Sequence, residues 1–105
     1  MMQLVVRYKV KADKVAENEG LVKAVYEGLR QIGDPDVHYA TFKQKDGRTF
    51  VHIAWFPSEE KNKVLTESAA FKAFQKGLKE RCEEQPDNQP LTEVGSYRFF
   101  YPAPG

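Results

Sequence analysis

An α+β domain built on an antiparallel sheet is what this sequence predicts, and three observations carry the prediction. Two strand-like runs flank Asp46-Gly47. Stretches with apolar residues at three- and four-residue steps stand before and after that pair of runs. Further strand-like runs lie near both ends, so the elements read β-α-β-β-α-β.

Residues 3–10 are rich in Val and Tyr and hold no breaker, which suits a strand. The period then changes. Val15, Val22, Val25, Leu29 and Ile32 form one apolar stripe, with Leu21 and Ala24 beside it. Asp13 is the expected N-cap of this helix and Gly33 its C-terminal stop, with Pro35 just beyond. Gly20 and Gly28 each cost about 1 kcal/mol of helix propensity relative to Ala. Both are places where a neighbouring element can come close.

Residues 37–45 and 48–56 form the expected hairpin. Asp46 and Gly47 both tolerate positive φ, which predicts a two-residue type I′ turn. The register follows: Phe42 faces Val51, Ala40 faces Ile53 and His38 faces Trp55. On the opposite side Lys43 meets Phe50, Thr41 meets His52 and Tyr39 meets Ala54. Large apolar groups therefore occupy both faces, whereas a sheet with one wet face alternates more cleanly. One face is expected to pack on helices and the other on a second copy of the chain.

Ser58 is placed to cap a helix running to about Glu84, and Ser68 to cap its continuation after a kink. Val64, Leu65, Phe71, Phe74, Leu78 and Cys82 mark its buried side. Residues 85–90 read as a loop by composition. Residues 91–101 read as the last strand, with a bulge at Gly95. Residues 102–105 form a C-terminal tail that cannot extend a sheet, which leaves 1–101 as a single domain. The order of elements is the ferredoxin-like split arrangement.

The bulk numbers agree with one such domain. The chain has 105 residues, 41% hydrophobic and 30% charged, with a formal charge of +1. That length suits one core. No basic stripe or acidic tail points to nucleic acid, and no apolar run is long enough to span a membrane. The first residues lack the apolar core of a secretory signal. A single cysteine cannot form an internal disulfide, so a reducing, cytoplasmic setting is the expectation.

The handover from the second hairpin strand to the following helix carries a family resemblance. Phe56 is followed by Ser58 two residues on and Glu60 two after that, then by Ser68 and Phe71 three residues apart. In this pattern and in its element order from residue 3 to residue 101, the chain resembles the antibiotic biosynthesis monooxygenase-like proteins. The resemblance implies a homodimer whose two four-stranded sheets pack into an α+β barrel with helices outside. Some members of that family are cofactor-free oxygenases of quinol-type aromatics, and others bind and degrade haem. Many members carry a His nine residues after the aromatic, where this chain has Leu65. Haem degradation also needs a helix His and a first-strand Asn. No His stands between Ser58 and Glu84 and no Asn within 3–10, so no haem or other cofactor is expected.

The candidate catalytic residues are His52, His38 and Tyr39. Imidazole titrates near neutral pH and suits a general base beside a substrate hydroxyl. In the inferred register the two histidines point to opposite faces, so they cannot share a metal within one chain, and no metal site is expected. Each also reads as a half-buried strand histidine hydrogen-bonded across a dimer. Trp55, Phe42, Phe71, Phe74 and Arg98 are the candidate substrate-binding groups. Tyr39, Phe50 and Phe56 extend the aromatic set, and Tyr8 and Tyr97 add polar tips. A flat aromatic ligand suits an apolar pocket of this kind, and ordinary core packing accounts for the same aromatics. Cys82 reads as a packing residue. Two functions stay open: a cofactor-independent monooxygenase of a small aromatic or quinol, and a non-catalytic homodimer that binds a small hydrophobic ligand or is purely structural.

Overall fold

The computed structural model describes residues 2–99. Four strands and four helices follow the chain: β1 (Met2–Val10), α1 (Val15–Ile32), β2 (His38–Lys43), β3 (Thr49–Phe56), α2 (Glu59–Thr66), α3 (Ala69–Gln75), α4 (Leu78–Arg81) and β4 (Cys82–Pro90). The sheet has the order β2-β3-β1-β4, and every neighbouring pair is antiparallel. The ferredoxin-like α+β fold read from the sequence is therefore the fold observed.

All six hairpin pairs match the inferred register, from His38 opposite Trp55 to Lys43 opposite Phe50. The turn that sets it differs. Only Gly47 takes positive φ, at 74°, and its N–H bonds to the Gln44 carbonyl. Asp46 keeps negative φ and uses its carboxylate instead, accepting from the N–H groups of Arg48 and Thr49. An Asx-type local bond thus replaces the strained left-handed residue of a type I′ turn.

The β3 burial pattern alternates strictly from Phe50 to Phe56, with even positions buried and odd positions half-buried. The even side carries Phe50, His52, Ala54 and Phe56 and joins Leu4, Val6 and Tyr8 of β1 through the register. The helices pack on this inner face, and the core holds Val22 and Val25 of α1 with Leu65, Phe71 and Phe74 of α2 and α3. Gly28 lies where α1 crosses α3, since an added Cβ there would meet Ala70 Cβ at 3.6 Å.

Both serine caps form as expected: the Ser58 hydroxyl accepts from Lys61 N–H and the Ser68 hydroxyl from Phe71 N–H. Gly33 ends α1 in the left-handed region, its N–H bonded to the Leu29 carbonyl. Asp13 does not cap α1. It sits in a 3₁₀ turn over Ala12–Lys14 that leads into the helix without a side-chain cap.

The C-terminal third departs most from expectation. The helical run stops at Arg81 rather than about Glu84, and Cys82 opens β4 instead of completing a helix stripe. The 85–90 segment expected as a loop is strand, and 91–99, expected as strand, holds none. Phe100 and Tyr101 of that expected strand, and the 102–105 tail, lie outside the described residues. Charge explains the choice of strand. β1 presents Arg7 and Lys9, and β4 places Asp87 opposite Arg7 and Glu84 opposite Lys9. Lys9 also pairs with Glu83, which accepts from Arg48. Opposite charges on facing strands stabilise the pairing, and β4 is an edge strand, where proline is tolerated.

Candidate active site

A cavity of about 310 Å³ lies between the inner face of the sheet and helices α2 and α3. That is the lower end of the roughly 300–1,000 Å³ usual for small-molecule sites. Leu4, Val6 and Ala54 form its floor, and Leu65, Phe71, Phe74 and Leu78 its roof. Tyr8, Tyr39 and His52 give polar groups on the sheet side, and Asn62, Gln75 and Asn88 give them at the rim.

His52 is the hub. The Tyr8 hydroxyl lies 2.8 Å from Nε2, and the Tyr39 hydroxyl 2.6 Å from Nδ1. Thr41 Oγ1 is a further 3.1 Å partner of Nδ1 and meets the Tyr26 hydroxyl at 2.6 Å. Behind Tyr8, Asn18 Nδ2 donates to its hydroxyl at 2.9 Å, and Arg81 Nε donates to Asn18 Oδ1 at 3.1 Å. Asn18 is 0% exposed, and His52 and Arg81 3% each. Among the described residues no carboxylate forms an ion pair with Arg81. Its remaining donors go to the Phe74 carbonyl at 2.7 Å and the Lys76 carbonyl at 3.0 Å, at the C-terminal end of α3. Exposed carbonyls there carry the negative end of the helix dipole, which suits a buried cation.

Burial sets the protonation states. It pushes the His52 pKa down to about 4, so the ring is neutral at pH 7. It raises the hydroxyls of Tyr8 and Tyr39, against the lowering bond from Asn18 to Tyr8. Tyr26 is pushed up to about 12, again by burial, opposed by its bond to Thr41. The cavity wall is thus a set of neutral donors and acceptors. Its rings are closely packed, with Tyr8 stacked on Phe50 at 5.6 Å and His52 tilted against Phe74 at 5.4 Å.

Of the residues singled out from the sequence, His52, Tyr39, Phe71 and Phe74 come together at this cavity. His38, Trp55 and Phe42 do not. They share the outer face of the sheet, with the His38 ring edge-on to Trp55 at 4.9 Å and Phe42 51% exposed. Arg98 lies over the Tyr97 ring, in the segment after β4 and away from the cavity lining. Among the described residues no group of His, Cys, Asp and Glu could hold a metal ion. No helix among them is long and apolar enough to cross a membrane.

Asn18, Arg81 and Asn62 were not legible as site residues, whereas the register already put Thr41 beside His52; Asn18 and Arg81 nevertheless leave a signal. Asn18 falls on the α1 stripe between Val15 and Val22, and Arg81 follows Phe71, Phe74 and Leu78 at helical steps. A polar residue on an apolar stripe must find a partner when buried.

With this geometry in view, the solved structures that share the fold are informative. A crystal structure named antibiotic biosynthesis monooxygenase superposes with a TM-score of 0.74, covering 90% of this chain and 100% of that one at 14% identity. The fold is that of the antibiotic biosynthesis monooxygenase-like proteins. SnoaB, a cofactor-independent oxygenase from Streptomyces nogalater, gives 0.68 at 14% identity over 90% of this chain and 94% of its own. A conserved protein from Methanosarcina mazei gives 0.70 at 17% over 86% and 89%. No protein-family model matches the chain, and no curated protein does. At these identities the likeness to antibiotic biosynthesis monooxygenase-like structures is one of fold.

Proposed function

We propose that this chain is a cofactor-independent monooxygenase of a small aromatic hydroxyl compound, of the phenol or quinol class. The observation that carries the reading is the cavity itself: apolar above and below, with the His52–Tyr39 pair on one wall. A flat ring fits between sheet and helices, and its oxygen meets Tyr39. SnoaB, which shares the fold, is named as an oxygenase that uses no cofactor.

In this scheme the substrate supplies the electrons and dioxygen is the oxidant. The ionised hydroxyl passes one electron to dioxygen, and the radical pair combines at a ring carbon. The peroxide anion takes a proton from water, replacing the one the hydroxyl lost on ionising, and the hydroperoxide then loses water together with the ring-carbon hydrogen to leave a quinone that has gained one oxygen atom. The protein binds the ring, excludes water and holds the anionic oxygen. Tyr39 is the donor to that oxygen, and His52 fixes Tyr39. Phe71 and Phe74 cover the ring from the helix side. His38, on the other side of the sheet, has no part in it.

The active form is proposed to be a homodimer of a single domain spanning 1–101. Phe42, Val51, Ile53 and Trp55 lie on the outer face, exposed or half-buried in the single chain. A contiguous apolar patch of that kind is usually covered in a soluble protein. Buried, free Cys82 suits a reducing cytoplasm.

One observation favours the alternative, a non-catalytic ligand-binding dimer: both nitrogens of His52 are engaged and its pKa is about 4, which makes it a weak base. Dioxygen uptake with a naphthoquinol separates the two. The oxygenase consumes dioxygen well above the quinol's own autoxidation and releases a hydroxyquinone that carries one atom of that dioxygen. Tyr39→Phe cuts the rate about 100-fold, the usual loss when one oxyanion donor is removed. Uptake equal to the protein-free rate favours the binder.

A further inference from the structure

We propose that Asn18 and Arg81, neither of which lines the cavity, set the direction in which the buried hydroxyls donate, so that the Tyr39 hydrogen is left for an anionic oxygen in the cavity. The ligand class rests on the phenolic reading of that cavity; the direction of the bonds rests on geometry and on the buried, neutral state of His52.

The direction follows from which groups can donate. Arginine has donors and no acceptor. Arg81 Nε therefore fixes Asn18 with Oδ1 toward itself and Nδ2 toward Tyr8. The Tyr8 oxygen accepts from Asn18, so its single hydrogen goes to His52 Nε2. A neutral imidazole carries one N–H, and with Nε2 accepting, that hydrogen sits on Nδ1. It donates to the Tyr39 oxygen, with Thr41 Oγ1 as a second, longer acceptor. Tyr39 has then accepted from His52, and its own hydrogen is not used by the ring nitrogen. Tyr39 lines the cavity, so this hydrogen is available to a ligand.

Every bond thus donates the same way, from a guanidinium at one end to a cavity-facing phenol at the other. Hydrogen bonds in series polarise one another. An anionic oxygen at Tyr39 gains from the whole series, and a neutral apolar ring gains almost nothing. Asn18 and Arg81 are positioning residues: they act on the ligand through Tyr8, His52 and Tyr39.

Asn18→Asp inverts the series at nearly constant shape. A carboxylate only accepts, so it takes both the Arg81 Nε–H and the Tyr8 hydrogen. Tyr8 then accepts from His52, which moves the ring hydrogen to Nε2. Nδ1 becomes an acceptor and takes the Tyr39 hydrogen away from the cavity.

Nitrogen-15 NMR of the His52 ring reads this directly in the full chain without ligand. The expected result is an Nδ1–H tautomer in the wild type and an Nε2–H tautomer in Asn18→Asp. Binding of p-nitrophenolate and of nitrobenzene gives the second readout. The phenolate is expected to bind Asn18→Asp about tenfold or more weakly, the usual value of a bond to a charged group, with nitrobenzene unchanged. Tyr8→Phe covers the case in which Asn18→Asp does not fold: it frees Nε2 from its donor, and mixed tautomers are expected. An Nε2–H wild type, or a tautomer that ignores both substitutions, overturns the proposal. A wild type that binds neither probe overturns the phenolic reading of the cavity, and the tautomer then decides the direction of the bonds by itself.

Discussion

The two faces of one sheet, formed by alternating residues of the same strands, have taken opposite characters. On β3, His52 and Ala54 look inward to helices and a cavity, while Val51, Ile53 and Trp55 look outward. The inner side is rich in polar groups: a buried histidine and two tyrosines of the sheet join an asparagine and an arginine of the helices in one series of hydrogen bonds. The outer face has its charge at β1 and β4 and leaves an apolar patch around Phe42. A buried polar network is tolerated when every member has a partner, and such a network beside an empty apolar space reads as a site. An apolar patch with few polar groups reads as a contact surface. Period-two alternation thus gives one eight-residue strand two faces of opposite character.

The largest expected effect breaks the outer face alone. Phe42→Asp, at a 51% exposed position, is expected to convert the proposed dimer to monomer in sedimentation experiments while leaving the fold unchanged by circular dichroism. A variant that stays dimeric would place the contact elsewhere. The inner face breaks differently. Phe74→Ala removes the ring that packs on His52, Phe71 and Tyr8 and is expected to cost about 3–5 kcal/mol in urea unfolding. A loss below about 1 kcal/mol would mean that the helices close over the gap.

Acid sharpens the comparison, because the buried histidine is on the inner face. Folding keeps His52 neutral down to about pH 4, whereas in the unfolded chain it takes a proton below about 6.5. Between those values the unfolded state binds more protons, so stability falls as pH drops, by about 3 kcal/mol in all. Below pH 4 this loss levels off. Asp46, lowered to about 2 by its bonds to Thr49 and Arg48, loses its contribution only below its ordinary value near 3.8. His52→Gln is expected to flatten the pH 6.5–4 slope and leave the lower window intact. The smallest effect tests the roof: Ser68→Ala removes the bond to Phe71 N–H and is expected to cost about 1 kcal/mol.

The parts legible in the sequence are those where one local rule dominates. The hairpin register was readable because alternation and a short Asp-Gly connection allow few solutions, even though Asp46 reaches its turn by a side-chain bond. Both serine caps were readable for the same reason. β4 was not, because Glu83, Glu84 and Asp87 owe their strand to Arg7 and Lys9, far away in sequence. Composition favoured the more aromatic 91–101 run, of which the described residues 91–99 form no strand. Half of the candidate site followed from the register, which puts Tyr39, Thr41 and His52 on one face. The other half, Asn18 and Arg81, comes from helices whose rotation against the sheet no local pattern fixes.

An NMR titration of the isotopically labelled chain with p-nitrophenol tests most directly whether the inner face holds the ligand and the outer face does not. The account predicts shifts at Val6, Tyr39, His52, Leu65 and Phe71, with Val5, Phe42 and Ile53 unmoved. Shifts centred on the outer-face residues, with His52 and Tyr39 still, would contradict it.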